Sequence, residues 1–522
     1  MTSQSPSSLS SSSPPDGILL HLHPDDQVAV ARVRIPAGTP LTGPTGNSLM
    51  AGDEIPMSHK IALTAIPKEG EVRKYGQVIG FATRDIAAGD HVHSHNLEMR
   101  AFSRDSRIGG DVRKVEYLPA DSVPRFMGYE RPDGRVGTRN YLAVISSVNC
   151  SASVSKQVAA HFNTPAYREK YPHVDGVIAL THKSGCCQQP GAPSDLLERV
   201  LMGMARHPNV YGYLIIGLGC EGMQAPGLKE RLRENGHEAP TLVIQQTGGI
   251  RKTIAAGISA LEEMMPQANR MRRGSHPASK LVLAMQCGGS DANSGITANP
   301  AVGIAADMLV RCGAAAVLAE TPEIYGAEHL LLHRAVSDEV GNHLLDLIHW
   351  WEDHARMHGA TIDNNPTPGN KAGGLTTIYE KSLGAVAKAG QSPLAAVYRY
   401  AQQIDTPGLG FMDSPGYDPV SMTGLAAGGA TLGVFTTGRG SVYGCKPMPT
   451  LKISTHSPLY SFMGEDMDLN AGTILDGEES IDAVGRRIFE RLLEVASGSP
   501  TKSEAQGIGD EEFAPWPLGP TF

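Results

Sequence analysis

Between Lys280 and Pro300 the chain reads KLVLAMQCGGSDANSGITANP. The thiol of Cys287, the hydroxyl of Ser290 and the carboxylate of Asp291 follow one another across Gly288 and Gly289. Thiolates bind soft metals, and glycines let backbone amides approach an anion closely. The apolar run before Cys287 has the length of a strand buried on both faces, and Asn299-Pro300 suits the start of a helix. Strand, Gly-rich polar turn and helix is the way open α/β sheets build sites at the carboxyl ends of their strands.

The same order recurs. Leu142–Ile145 runs into Ser146-Ser147-Val148-Asn149-Cys150, and Val177–Leu180 into Thr181-His182-Lys183-Ser184-Gly185-Cys186-Cys187. Tyr213–Ile216 runs into Gly217-Leu218-Gly219-Cys220-Glu221. Cysteine is often just a small buried hydrophobe, but polar, Gly-rich turns are unlike core. A second site type lies in His91-Val92-His93-Ser94-His95. Alternate residues of a strand share a face, so three imidazoles there can hold a metal or line a cleft; His59 lies upstream. Arginines complete the inventory. Arg135 and Arg139 precede a cysteine-terminated strand, and Arg439 stands in the Thr436-Thr437-Gly438-Arg439-Gly440 loop, a setting suited to a carboxylate.

These residues need an α/β scaffold, and the remaining sequence supplies one. Residues 1–15 are Ser/Pro-rich and read as a disordered tail. Residues 16–100 hold short alternating runs and frequent turns, the mark of a small β-rich domain. A polar linker covers 101–125. Strand and helix patterns then alternate through a second domain, 126–272, and a C-terminal domain, 273–522, which predicts two α/β domains with mostly parallel sheets. The His329/His333 and His354/His358 pairs lack the H-E-x-x-H frame and read as a solvated helix face. No Walker A loop is present, and no G-x-G-x-x-G follows a first strand, so a nucleotide fold is unsupported.

Composition narrows the class. With 522 residues the chain exceeds one core. A formal charge of -9 without a basic stripe argues against nucleic acid. No apolar run approaches the roughly 20 residues of a membrane span, and the N-terminus lacks a signal-peptide pattern, so a cytoplasmic enzyme with reduced thiols is expected. A homodimer is an open expectation.

In order along the chain stand HKIAL (59–63), KYG-x-x-IG (74–80), DGRVGTRN (133–140) and IGLGCE (216–221). CGGSDANSGITANP (287–300), TPGNKAGG (367–374), EKSLG (380–384) and FTTGRGS-x-YG (435–444) follow. On these motifs the chain resembles the altronate/galactarate dehydratases over nearly its whole length. HVHSHN (91–96) and TPEIYGAE (321–328) are more similar to the altronate branch. Ser184 stands where that family more often has an aromatic, and Ser441-Val442 where it often has Thr-Pro. The resemblance implies an antifreeze-like (SAF) β domain followed by two larger domains. It also implies ferrous-iron-dependent dehydration of a small-molecule sugar acid to a 2-keto-3-deoxy product. Under that reading Cys150, Cys186, Cys220 and Cys287 are the candidate ligands of Fe2+, with Mn2+ or an iron–sulfur cluster as alternatives. His182, Lys183 and Lys371 are the acid/base candidates. Arg139, Gly288, Gly289, Ser290, Asp291, Thr437 and Arg439 are the substrate-binding candidates. His59, His91, His93 and His95 form a separate small-domain site. A sulfo-lyase, a lyase on another 2-hydroxy acid, and a non-catalytic sugar-acid binding protein stay open as alternatives.

Overall fold

The computed structural model describes residues 17–102, 104–186, 188, 190–234, 236 and 238–522; the expected 1–15 tail lies outside them. The chain divides into two compact units, Met1–Ala101 with Pro366–Glu380, and Phe102–Asn365 with Lys381–Phe522.

In the first unit one turn is used four times. Ile35, Ile55, Ile66 and Ile86 are each almost fully buried, and they pair across two isolated bridges, Ile35 with Ile55 and Ile66 with Ile86. Three residues after each isoleucine the backbone turns left-handed, at Gly38, Ser58, Glu69 and Gly89. The chain then enters the strands Pro40–Thr42, Lys60–Ala62, Glu71–Lys74 and His91–Val92. The apolar residue anchors each turn and the left-handed residue aims the strand that follows. Sheets of four and three antiparallel strands and a hairpin result, with the order Leu19–Leu20, Val28–Ala31, Lys60–Ala62, His91–Val92 in the largest.

The second unit contains both parallel sheets. The smaller runs Gly176–Leu180, Tyr141–Ser146, Val210–Gly217, Thr241–Val243. The larger has seven strands and places Val282–Cys287 between Ala315–Ala319 and Leu432–Thr437. The strands Tyr141–Ser146, Ala315–Ala319 and Leu432–Thr437 are buried at every position, as parallel strands covered on both faces must be. The β-rich start and the parallel α/β layout are those the sequence pattern predicts.

Two details differ. Residues 104–124 carry no regular helix or strand, yet they are tied down, with Gly109 N and Asp111 N donating to Leu332 O and His333 O. His354 is buried rather than solvated. Its Nε2 lies 3.0 Å from Gly519 O, and its ring stacks on Trp350, because the C-terminal segment with Trp516 and Phe522 covers that helix face.

Candidate functional site

Because all seven strands of the larger sheet run the same way, their carboxyl ends share one edge, and charged side chains gather there. Cys287 ends its strand, Glu320 and Glu323 follow Ala315–Ala319, and Asp418 begins the helix Asp418–Ala427. Lys381 comes from the helix Ile378–Val386, and Lys388 from the turn after it. Lys388 Nζ lies 2.7 Å from Cys287 Sγ, which lies 3.5 Å from Glu323 Oε2. Lys381 is ion-paired with Glu323, and Asn365 Nδ2 donates to the same carboxylate at 3.3 Å. Asp418 is half-buried; Gln286 Nε2 donates to its Oδ1 at 2.7 Å. A Cβ at Gly288 would meet Asp418 Oδ2 at 2.3 Å, so only glycine lets that carboxylate lie against the backbone.

The two glutamates are pushed apart. Burial drives the Glu320 carboxyl well above the usual range, and Glu323 and Asp418 push it further. Burial also opposes ionisation of Glu323, but the Lys381 ammonium outweighs it and brings Glu323 to about 2. Burial and the neighbouring Glu323 raise Asp418 to about 6. Glu320 also sits at φ 72°, ψ 81°, a conformation costly for a residue with a side chain, and its buried Oε1 has no hydrogen-bond partner among the described residues. A neutral acid, an ionised carboxylate and a third titrating near neutrality are the parts that general acid–base chemistry needs.

Of the expected substrate-binding residues, 288–291 and 437–439 come together. Gly289 O accepts from Gly438 N at 3.1 Å and from Arg439 N at 2.9 Å, and Gly289 and Arg439 are exposed at this edge. Asp291 is committed internally, accepting from Asn293, Ser294 and Thr455. Arg139 does not join the set. All five of its donors are used, on Glu504 and on the carbonyls of Thr138, Val495 and Ser499, so none is left for a ligand.

The proposed acid/base residues separate as well. His182 is buried, with Nε2 donating to Ser146 O and Nδ1 accepting from Ser184 N; burial lowers it to about 4, so it is a neutral loop clamp with no nitrogen to spare. Lys183 is exposed, and Lys371 belongs to the first unit. The four cysteines are not one set. Cys150, Cys186 and Cys220 are exposed at the smaller sheet, whereas Cys287 is buried at the larger one with its sulfur beside Lys388. Cys187 lies outside the described residues.

The first unit holds a different cluster. His59 Nδ1 and His91 Nε2 are 3.0 Å apart, and ligand nitrogens of His59, His91 and His93 all lie within 4.8 Å of one another. The strand ends at Val92, where Asn96 folds the chain back by accepting from His93 N and donating to His91 O. His59 thus replaces His95 as third member, while the His95 ring stays 5.3 Å from His91. Burial lowers His91 to about 4 and His93 to about 3, keeping them in the neutral form a metal ligand needs; among the described residues the buried Nδ1 of His93 has no hydrogen-bond partner. Beneath them Lys60 and Lys74, both buried, flank Glu380 at 2.9 Å. Burial lowers Lys60 to about 8 and resists ionisation of Glu380, but the two ammoniums hold Glu380 far below the usual carboxylate range.

Sequence reasoning missed Glu320, Glu323, Lys381, Lys388 and Asp418, and also Lys60, Lys74 and Glu380. The signal was present: HKIAL, KYG, TPE and EKSLG each set a charge inside an apolar or Gly-rich frame.

Three family models match the chain. D-galactarate/altronate dehydratase, C-terminal, covers residues 278–521, and D-galactarate dehydratase/altronate hydrolase, second domain, covers 128–269. The altronate/galactarate dehydratase SAF domain covers 18–100. Altronate dehydratase of Bacillus subtilis is 34% identical over 93% of this chain and 96% of its own length. Galactarate dehydratase (L-threo-forming) of Escherichia coli is 37% identical over 97% and 98%. Altronate dehydratase of Escherichia coli is 35% identical over 93% and 96%.

Proposed function

Since the chain belongs to the D-galactarate/altronate dehydratase family, we propose that it is a sugar-acid hydro-lyase, removing water from an altronate-like aldonate or a galactarate-like aldarate to leave a 2-keto-3-deoxy acid. The observation that carries the reading is the set of three carboxyls with divergent proton affinities at one sheet edge. Elimination takes the proton from C2 and expels the C3 hydroxyl. Asp418, half-buried beside Gly288 and titrating near 6, is the base. Glu320, buried and neutral, delivers the proton that lets the hydroxyl leave as water. The substrate carboxylate is received by Arg439 and the exposed backbone at Gly289. Charge stays balanced, because Lys381 and Lys388 offset Glu323 and Asp418 while Glu320 and Cys287 are neutral.

His59, His91 and His93 fit a divalent ion, Fe2+ or Mn2+, by their donor set and spacing. When bound, such an ion supplies Lewis-acid stabilisation of developing negative charge. The reading includes a cytoplasmic enzyme and a homodimer, which fractionation and light scattering test.

A substrate panel decides the function. Altronate, galactarate and sulfolactate are incubated with protein and ferrous iron or manganese, and keto acid and sulfite are measured. Keto acid from a sugar acid supports the proposal. Sulfite release alone transfers the chain to the sulfo-lyases, and binding without any product makes it a sugar-acid binding protein. Among the described residues no helix is long and apolar enough to cross a membrane.

A further inference from the structure

The exposed cysteines of the smaller sheet belong to neither cluster above. They follow three strands that are neighbours in the sheet: Cys186 after Gly176–Leu180, Cys150 after Tyr141–Ser146 and Cys220 after Val210–Gly217. The strands are parallel and in register, so the three thiol-bearing loops leave the same edge side by side.

The loops are fastened to one another. Asn149 N donates to Ser184 O at 2.9 Å, and His182 bridges Ser146 O to Ser184 N. Ser147 Oγ donates to Glu221 Oε1 at 3.0 Å, and the same carboxylate accepts from the backbone of Leu218 and Gly219. The residues just before Cys186 and Cys220 are glycines in left-handed conformations, Gly185 at φ 97° and Gly219 at φ 125°. A Cβ on Gly185 would come within 2.5 Å of Ser147 O, so only glycine lets the Cys186 loop lie against the Cys150 loop. Cys150 stands in the turn that opens the helix Ala152–Phe162. Gln245 Nε2 reaches Cys220 Sγ at 3.5 Å. All three thiols face solvent, which is not how structural cysteines are kept.

We propose that Cys150, Cys186 and Cys220 bind a polynuclear iron–sulfur cluster, with Cys287 taking no part. A single tetrahedral ion with metal–sulfur bonds of about 2.3 Å needs sulfurs under about 4 Å apart. Among the described residues the sets of three donors within 4.8 Å comprise the histidine trio and no cysteines. Thiolates on three adjacent loops that form no such tight set suit a cluster, whose irons are separate ligation points. Each thiol gives up its proton on ligation, and the three thiolates hold three irons of a four-iron cluster. The inference rests on the sheet edge, not on the acid–base cluster or the histidines.

The test uses the full-length chain, purified without oxygen and reconstituted with equal amounts of ferrous and ferric iron and sulfide. Iron, acid-labile sulfide, visible absorption and the electron paramagnetic resonance of the reduced protein are measured. The expected result is about four labile sulfides per chain, lost in C150S, C186S and C220S, and retained in C287S and in the H91A/H93A double variant. Circular dichroism confirms that the serine variants fold. Iron or zinc bound without labile sulfide overturns the proposal, and so does a cluster that survives the triple serine variant. A chain that assembles the cluster yet makes no keto acid from any sugar acid refutes the dehydratase reading alone.

Discussion

Glu320 combines a strained backbone, a buried oxygen without a partner and a carboxyl kept neutral by burial. Replacing it by Gln keeps the size and the neutral state but removes the transferable proton. E320Q should therefore melt near the unaltered protein while losing about 10² to 10⁴ in kcat, within the range of general acid–base contributions. Glu323→Gln should behave differently. It leaves the buried Lys381 ammonium without its counter-charge, a loss of about 3–5 kcal/mol, read as a lowered denaturation midpoint. The sequence announces these glutamates only as polar residues past a strand. Their different protonation depends on which lysines the fold brings alongside, and Lys381 lies far along the chain from Glu323.

Among the elements, short side-chain hooks hold the loop ends. His207 repeats the His182 arrangement, with Nε2 donating to Ala430 O and Nδ1 accepting from Asn209 N. Burial lowers His207 from 6.5 to about 3. The unfolded chain therefore binds a proton between those values that the folded chain refuses, and stability falls as pH drops below 6.5. By pH 5 the loss from this residue is about 2 kcal/mol. Chemical denaturation at pH 7 and pH 5, with H207N as comparison, should show the acid sensitivity reduced in the variant. At the larger sheet edge, Gly288→Ala should displace Asp418 and lower kcat/KM strongly while far-UV dichroism stays unchanged. Strand, turn and helix order was legible in both parallel sheets because buried apolar runs end abruptly in polar or glycine-bearing turns. The fourfold isoleucine turn was visible only as scattered turn residues, since left-handed Ser58 and Glu69 carry no glycine signal.

At the scale of the molecule, the β-rich start and the parallel sheets were readable from periodicity, but the crossing of the chain between units was not. Residues 366–380 return to complete the first unit, and nothing in local pattern marks that return. Glu380 neutralises Lys60 and Lys74 there, while the next residue, Lys381, pairs with Glu323 in the second unit. E380Q should strand two buried ammoniums, costing about 3–5 kcal/mol of stability, and should weaken metal uptake by the histidines above them, measured by calorimetry with manganese. The order of synthesis gives this crossing a further meaning. A ribosome making about 5–20 residues per second needs on the order of 10–50 seconds to pass from residue 101 to residue 366. For that interval the nascent N-terminal segment carries two lysines whose neutralising partner has not yet been translated, so its closure waits for the body of the protein to emerge.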